Sequence, residues 1–213
     1  MDYTQLVSNK SVPGSICNWI NRDTTDGPTI LTEAQAFVYT RLRHWRMKYR
    51  LSGSLVVDQG TIPLPADFAD ASDFRLIGTY TGRLRRGDER YIHDRWAWDA
   101  AGARVKEAPE WYFVGGTELV LDTHPDQAYS YLLTYYQVPE DLGADNLTNW
   151  LTRFHPRLLR SACMLMACEF EKEAGQGNID RTYWEQIFEA ERQEVQAKSD
   201  IVARASDAPV EFA

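Results

Sequence analysis

YLLTYYQVPEDLGADNLTNWLTRFHPRLLRSACMLMACEFEKE, residues Tyr131 to Glu173, passes from one kind of chain organisation to another. Its first seven residues are aromatic and aliphatic strand formers that end before Pro139. A polar loop follows, and Thr148 to Phe154 reads as a short turn carrying Trp150. Pro156 then stands where a helix accepts proline, at a first position whose N–H needs no partner. Leu158, Leu159, Ala162, Leu165, Met166 and Phe170 recur at helical period and predict one apolar face, with Gly175-Gln176-Gly177 as the stop. Nothing in the stretch has the residue types of an active site. It joins a β module to a helical base.

Upstream, residues 52 to 139 read as β. Strands are expected at Ser54–Ile62, Thr79–Arg85, Tyr91–Trp98, Trp111–Val114, Thr117–Leu121 and Tyr129–Gln137, with Phe68–Ile77 as a short helical or irregular crossing. Arg86-Gly87-Asp88, Ala101-Gly102, Gly115-Gly116 and His124-Pro125-Asp126 punctuate them, and Gly115-Gly116 predicts a hairpin. Pro63-Leu64-Pro65 must leave the sheet. Short strands at this spacing predict a small antiparallel sandwich or barrel.

Residues 1 to 51 read as helical. Tyr3, Leu6 and Val7 open a short helix, and Pro13 begins a second piece with Ile16, Cys17, Trp19 and Ile20. After the turn at Thr25-Asp26-Gly27-Pro28, Thr32 and Gln35 have capping-box spacing. Ile30, Ala34, Phe37, Val38, Leu42, Trp45 and Tyr49 form the stripe of one long helix. Its last turns hold Arg41, Arg43, Arg46, Lys48 and Arg50 without an acid among them. Cations at a helix C-terminus are favoured by the dipole, so a solvated basic face is one reading. A docking patch for an acidic neighbouring subunit, on Arg41, Arg43, Arg46 and Arg50, is the other. A last helix from about Ile179 carries Tyr183, Trp184, Ile187, Phe188 and Val195, and Asp207 to Ala213 forms a tail. The expected architecture is α+β: a helical bundle from residues 1–51 and 140–213, with an antiparallel β-sandwich or barrel-like module, 52–139, inserted in it.

Composition bounds the function. The 213 residues are 44% hydrophobic, enough for a core, and 12% aromatic, a share that suits extensive protein–protein contact as well as strand formation. The net charge of −8 repels phosphates, which argues against non-specific nucleic-acid binding through the overall field. Cys17, Cys163 and Cys168 make no CxxC pair and read as buried free thiols of a reducing compartment. MDYTQLVSNK has neither the basic nor the apolar region of a secretory signal.

Catalytic and metal motifs are absent from this reading. His44, His93, His124 and His155 are widely spaced and share no metal-ligand spacing. Asp88, Glu89, His93 and Asp94 are the residues a nuclease or glycosidase reading would use, yet such carboxylates occur on any acidic surface. No catalytic residue, metal or cofactor is expected, and the chain does not read as an enzyme. Trp96 and Trp98, on one face of a strand, would be core or, with Trp111 and Tyr112, stacking platforms of a carbohydrate- or receptor-binding virion module.

Several short segments follow one another in a distinctive order: Asp2-Tyr3, Asp26-Gly27-Pro28, Leu64-Pro65-Ala66-Asp67-Phe68, Gly116 to Leu121, Pro125-Asp126, Tyr135 to Pro139, Leu147 to Leu151, and Phe154-His155-Pro156. Together they resemble the head-to-tail adaptor (neck or connector) proteins of tailed bacteriophages, SU10-adaptor-like, over nearly the whole chain. The match is loosest at residues 79–110 and in the C-terminal tail. The resemblance implies a structural virion protein of the neck, assembled in the host cytoplasm. It implies a homo-oligomeric ring, a dodecamer, seated under the portal protein and joining it to nozzle, tail or tail-fibre proteins. Double-stranded DNA would pass through the lumen without specific binding, and no membrane is involved. It also implies that a tail such as Pro209, Val210, Glu211 and Phe212 docks on a partner.

Overall fold

The computed structural model describes residues 1–21, 23–78, 81–95, 105–173 and 180–207. The chain forms two compact units, one of residues 1–46 with 139–213 and one of residues 47–138.

In the first unit, α1 (Tyr3–Leu6) and α2 (Ile16–Trp19) are single turns capped by the side chains of Asp2 and Ser15. Helix α3 (Gly27–Arg41) has Pro28 in its first turn and buries Ile30, Leu31, Ala34, Gln35, Val38 and Tyr39. α5 (Trp150–Phe154) begins at Asn149, whose side chain and that of Thr152 close a reciprocal capping box. α6 (Pro156–Glu173) packs against α2, α3, α5 and α7 (Arg181–Asp207). Every residue from Ser161 to Cys168 is buried, so α6 is the central helix rather than one with a single apolar face. Each of its buried leucines, Leu158, Leu159 and Leu165, contributes roughly 1.5–3 kcal/mol by leaving water.

One buried polar side chain ties these helices to the incoming chain. Gln35 Oε1 accepts from Leu142 N at 2.9 Å and from Asn149 Nδ2 at 3.3 Å, and Asn149 Nδ2 also donates to the Tyr39 hydroxyl at 3.0 Å. Burial and, secondarily, the Asp141 carboxylate push that hydroxyl's pKa well above its ordinary value.

Among the described residues the second unit holds two four-stranded sheets. One has the order β1 (Lys48–Ser54), β8 (Ser130–Gln137), β3 (Phe68–Ile77), β4 (Gly82–Arg83), all antiparallel. The other runs β2 (Thr61–Pro63), β7 (Glu118–Leu121), β6 (Trp111–Gly115), β5 (Arg85–Arg86), with only the β5–β6 pair parallel. Strict alternation along β8 turns Tyr131, Leu133 and Tyr135 inward, and β7 turns Leu119 and Leu121 inward. They meet Leu55, Ile62, Phe74, Leu76 and Tyr112 in one core fed by both sheets, which makes the module a small sandwich. Phe74 lies edge-on to Tyr112 at 5.3 Å and to Tyr131 at 5.5 Å, geometry that suits the aromatic quadrupole.

The α+β class stands, with several element corrections. The long helix expected to run on to Tyr49 ends at Arg41, because Leu42 is extended (φ −125°, ψ 134°). A 3-10 turn (Trp45–Met47) then feeds β1, so Trp45 and Tyr49 leave the stripe. Thr32 and Gln35 are interior to α3 and cap nothing. The expected strand at Ser54–Ile62 is the end of β1, a loop and β2, with Asp58 left-handed at φ 69°. Phe68–Ile77 is a ten-residue strand, not a crossing. Its aspartates are poor strand formers, but Asp73 is paired by Arg75 and by Arg83 (2.7 Å) and Asp70 by Arg86 (2.7 Å), and two bulges absorb its irregular register.

The expected strand at Thr79–Arg85 reduces, among the described residues, to β4 and the start of β5. Tyr91–Trp98 is no strand where it is described: α4 (Glu89–Arg95) runs through Tyr91 to Arg95, with Asp88 Oδ1 accepting from Tyr91 N at 2.7 Å and Ile92 fully buried. Trp96 and Trp98 lie outside the described residues. The hairpin turn is centred on Gly116-Thr117, since Gly115 pairs with Glu118 and Gly116 supplies the positive φ of 65°. Thr148–Phe154 contains a true capped helix, and the last helix reaches Asp207. Gly175-Gln176-Gly177 falls outside the described residues.

Candidate functional site

The residues that the sequence offered as chemistry do not assemble. Asp88, Glu89, Arg90 and His93 border an open depression, but the Asp88 carboxylate caps α4 and His93 stands edge-on to Phe113 at 5.7 Å. Among the described residues there is no group of three or more His, Cys, Asp or Glu able to hold a metal ion. Tyr112 is a core residue, 3% exposed, which removes it as a stacking platform. Trp111 packs against Tyr91 at 4.9 Å with the Arg85 guanidinium at 5.4 Å.

Of the basic cluster, Arg41, Arg43 and Arg46 lie in the helical unit and Arg50 is an exposed residue of β1 in the other unit. Only Arg41 is in the last turn of α3, so the helix dipole accounts for one cation and not for five. Its guanidinium lies 3.7 Å over the Phe37 ring, which packs on Phe188 of α7 at 4.9 Å. Arg43 caps the helix end, Nη1 donating to the carbonyls of Tyr39 (2.8 Å) and Leu42 (3.2 Å). Gln196 of α7 accepts from Arg43 N and donates to Arg43 O, each at 3.2 Å. One turn on, Ser199 Oγ accepts from Trp45 N at 2.8 Å.

The segment between these ties places His44 inside, 3% exposed, stacked on Trp150 at 4.8 Å and 6° and edge-on to His155 at 5.4 Å. The wide spacing of the histidines in sequence therefore hid a pair. No local signal marks it, because residues on α5 and after α3 meet only through packing. Burial, then His155 and Arg46, lower the His44 pKa from 6.5 to about 4. Burial, then Lys198 and Arg46, lower that of His155 as well, against the Glu194 carboxylate. Neutral His44 Nδ1 accepts from Arg46 N at 3.2 Å.

Outside this buried stack, the Arg46 guanidinium sits between two rings, 4.4 Å from the centroid of Trp45 and 4.0 Å from that of Phe154. Arg153 follows the same pattern of neutral partners, donating to Thr148 Oγ1 at 3.0 Å. Among the described residues none of Arg41, Arg43, Arg46 and Arg153 has a carboxylate within 4.0 Å, whereas eight Lys or Arg contacts with carboxylates form elsewhere. The arrangement can hold a partner's carboxylate.

A family model described as SU10 adaptor protein matches residues 9–211. The chain belongs to the SU10 adaptor family. No curated protein matches it. It is thus a structural adaptor of a bacteriophage, a virion protein of the neck. The surface that such an adaptor needs is one for other proteins, and the aromatic and cationic end of the helical unit has that composition. No helix among the described residues is long and apolar enough to cross a membrane.

Proposed function

We propose that the adaptor works as a homo-oligomeric ring, a dodecamer, seated under the portal protein, extending the DNA channel and presenting a surface to nozzle, tail or tail-fibre proteins. The family match over residues 9–211 is the observation that carries this reading. The role is structural and not enzymatic: affinity comes from repetition, because each contact after the first is effectively intramolecular within the ring. Assembly takes place in the host cytoplasm. Duplex DNA passes through the lumen without specific contacts, and the −8 charge favours sliding over adhesion.

Two sets of residues serve partners in this scheme. Arg41, Arg43, Arg46 and Arg50 form cationic docking points, and Pro209, Val210, Glu211 and Phe212 dock in a groove of the portal. Burial of Phe212 would contribute about 1.5–3 kcal/mol per copy. Native mass spectrometry of the full chain, alone and mixed with its portal, tests the ring: a closed oligomer of fixed stoichiometry on the portal is expected, and monomers in both samples contradict it. Deleting residues 208–213 should weaken portal capture in a pull-down; undiminished capture removes the tail from the scheme.

A further inference from the structure

The Arg46 guanidinium lies over two rings, as that of Arg160 does over Trp19 (5.2 Å) and Trp184 (5.7 Å), but at shorter distances, 4.4 Å from Trp45 and 4.0 Å from Phe154. The two rings that approach the Arg46 guanidinium form a clamp with it, and their residues, Trp45 and Phe154, are themselves 36% and 52% exposed. Arg46 is exposed, and among the described residues no carboxylate comes within 4.0 Å of it. A guanidinium without a carboxylate partner can take one in bidentate fashion, which an ammonium cannot do. Its backbone is set in advance: Arg46 N donates to His44 Nδ1, Trp45 N to Ser199 Oγ, and Gln196 brackets Arg43. Ordering this turn on contact therefore costs little.

We propose that this clamp is the centre of a head-to-tail contact with a second copy of the chain, Arg46 receiving an Asp or Glu side chain of the neighbour while Trp45 and Phe154 close over it. The inference rests on the ring reading and names the surface that would make the ring. Charge complementarity points to a second copy, since the chain carries 31 Asp and Glu against 23 Lys and Arg. In the same unit Glu140, Asp141 and Asp145 are exposed, with no cation within 4.0 Å among the described residues. Arg41, Arg43, Arg46 and Arg153 are joined at this end of the unit by Lys198 and Glu194, which stand by His155, and by Asp200, which accepts from Gln196 at 2.8 Å. The ring reading requires a heterologous contact, the kind that closes rings. Tryptophan and arginine side by side are the composition of protein-interface hot spots, and the overall negative charge disfavours duplex DNA as the occupant.

The test uses the full chain, alone and assembled on its portal. Sedimentation velocity over a concentration series should show Arg46→Glu self-associating about tenfold or more weakly than the parent and Arg46→Lys by roughly severalfold less, with thermal melts unchanged in both. Arg46→Lys also provides an amine for carbodiimide coupling. In a mixture of ordinary and nitrogen-15-labelled protein, cross-links from position 46 should reach an Asp or Glu of the other isotopic copy. Undiminished assembly of Arg46→Glu without such cross-links overturns the clamp and leaves the ring reading standing. A parent chain that never self-associates, alone or on the portal, overturns the ring reading and the clamp with it. Loss of retained duplex DNA by Arg46→Glu, with self-association intact, also overturns the proposal and assigns the clamp to nucleic acid.

Discussion

His44 and His155 stand 5.4 Å apart with Arg46 and Lys198 as their cationic neighbours and Glu194 opposing them. The folded protein holds His44 neutral down to about pH 4, whereas an unfolded chain takes the proton near pH 6.5. The unfolded state thus binds more protons in between, so this contribution to stability is complete above about pH 6.5 and lost as the pH falls toward 4, by up to about 3 kcal/mol. His155 acts in the same direction. His44→Asn keeps an acceptor near the position of Nδ1 but cannot charge. Its melting temperature should fall less than that of the parent between pH 6.5 and 4.5, and parallel profiles would remove His44 as the cause. Glu194 and Asp58, both held below the ordinary carboxylate range chiefly by hydrogen bonds from Lys198 and Lys106, lose their contributions at lower pH in both proteins alike. At the same scale, Gly53 faces Tyr131 across β1 and β8, and a Cβ there would meet the ring at 2.5–2.8 Å. Because Tyr131 is part of the core, Gly53→Ala should cost about 1–3 kcal/mol in denaturant unfolding, more than an ordinary exposed strand position.

Helices were legible where caps and periodicity agree, and obscure where tertiary partners replace them. Pro156 announced α6, and the alternation of Tyr131, Leu133 and Tyr135 announced β8. The end of α3 was hidden because Leu42, Trp45 and Tyr49 continue the helical period; only the pairing of Arg43 with Gln196 and of β1 with β8 makes the extended path preferable. β3 was hidden for the opposite reason, since its aspartates look like loop residues until Arg83 of the neighbouring β4 and Arg86 of the other sheet pair with them. Asn149 shows how much one cap can hold. It closes the capping box of α5 and bonds Gln35 and Tyr39 of α3. We expect Asn149→Ala to destabilise by about 1–3 kcal/mol in chemical denaturation, beyond the ~1 kcal/mol of a simple cap, and Asn149→Asp to recover the cap but not the bonds made by Nδ2.

For the whole molecule, the charge balance sets the expectation for nucleic acid. At ~0.15 M salt and ~10 μM protein, duplex DNA should show no retarded species in a gel-shift assay, because a −8 chain lacks the counterion release that drives non-specific binding. A clear shift at that concentration would contradict a lumen that lets DNA slide. The sequence by itself determined the α+β class, the insertion of strands between helical segments and the acidic, aromatic-rich character suited to assembly, since periodicity, proline and net charge act locally or by summation. Only the tertiary structure decided where α3 stops, that Phe68–Ile77 is a strand, that His44 meets His155, and that Arg46 is held between Trp45 and Phe154. Each of those depends on contacts between residues far apart in the chain, and their energies outweigh local propensities of a few tenths of a kcal/mol.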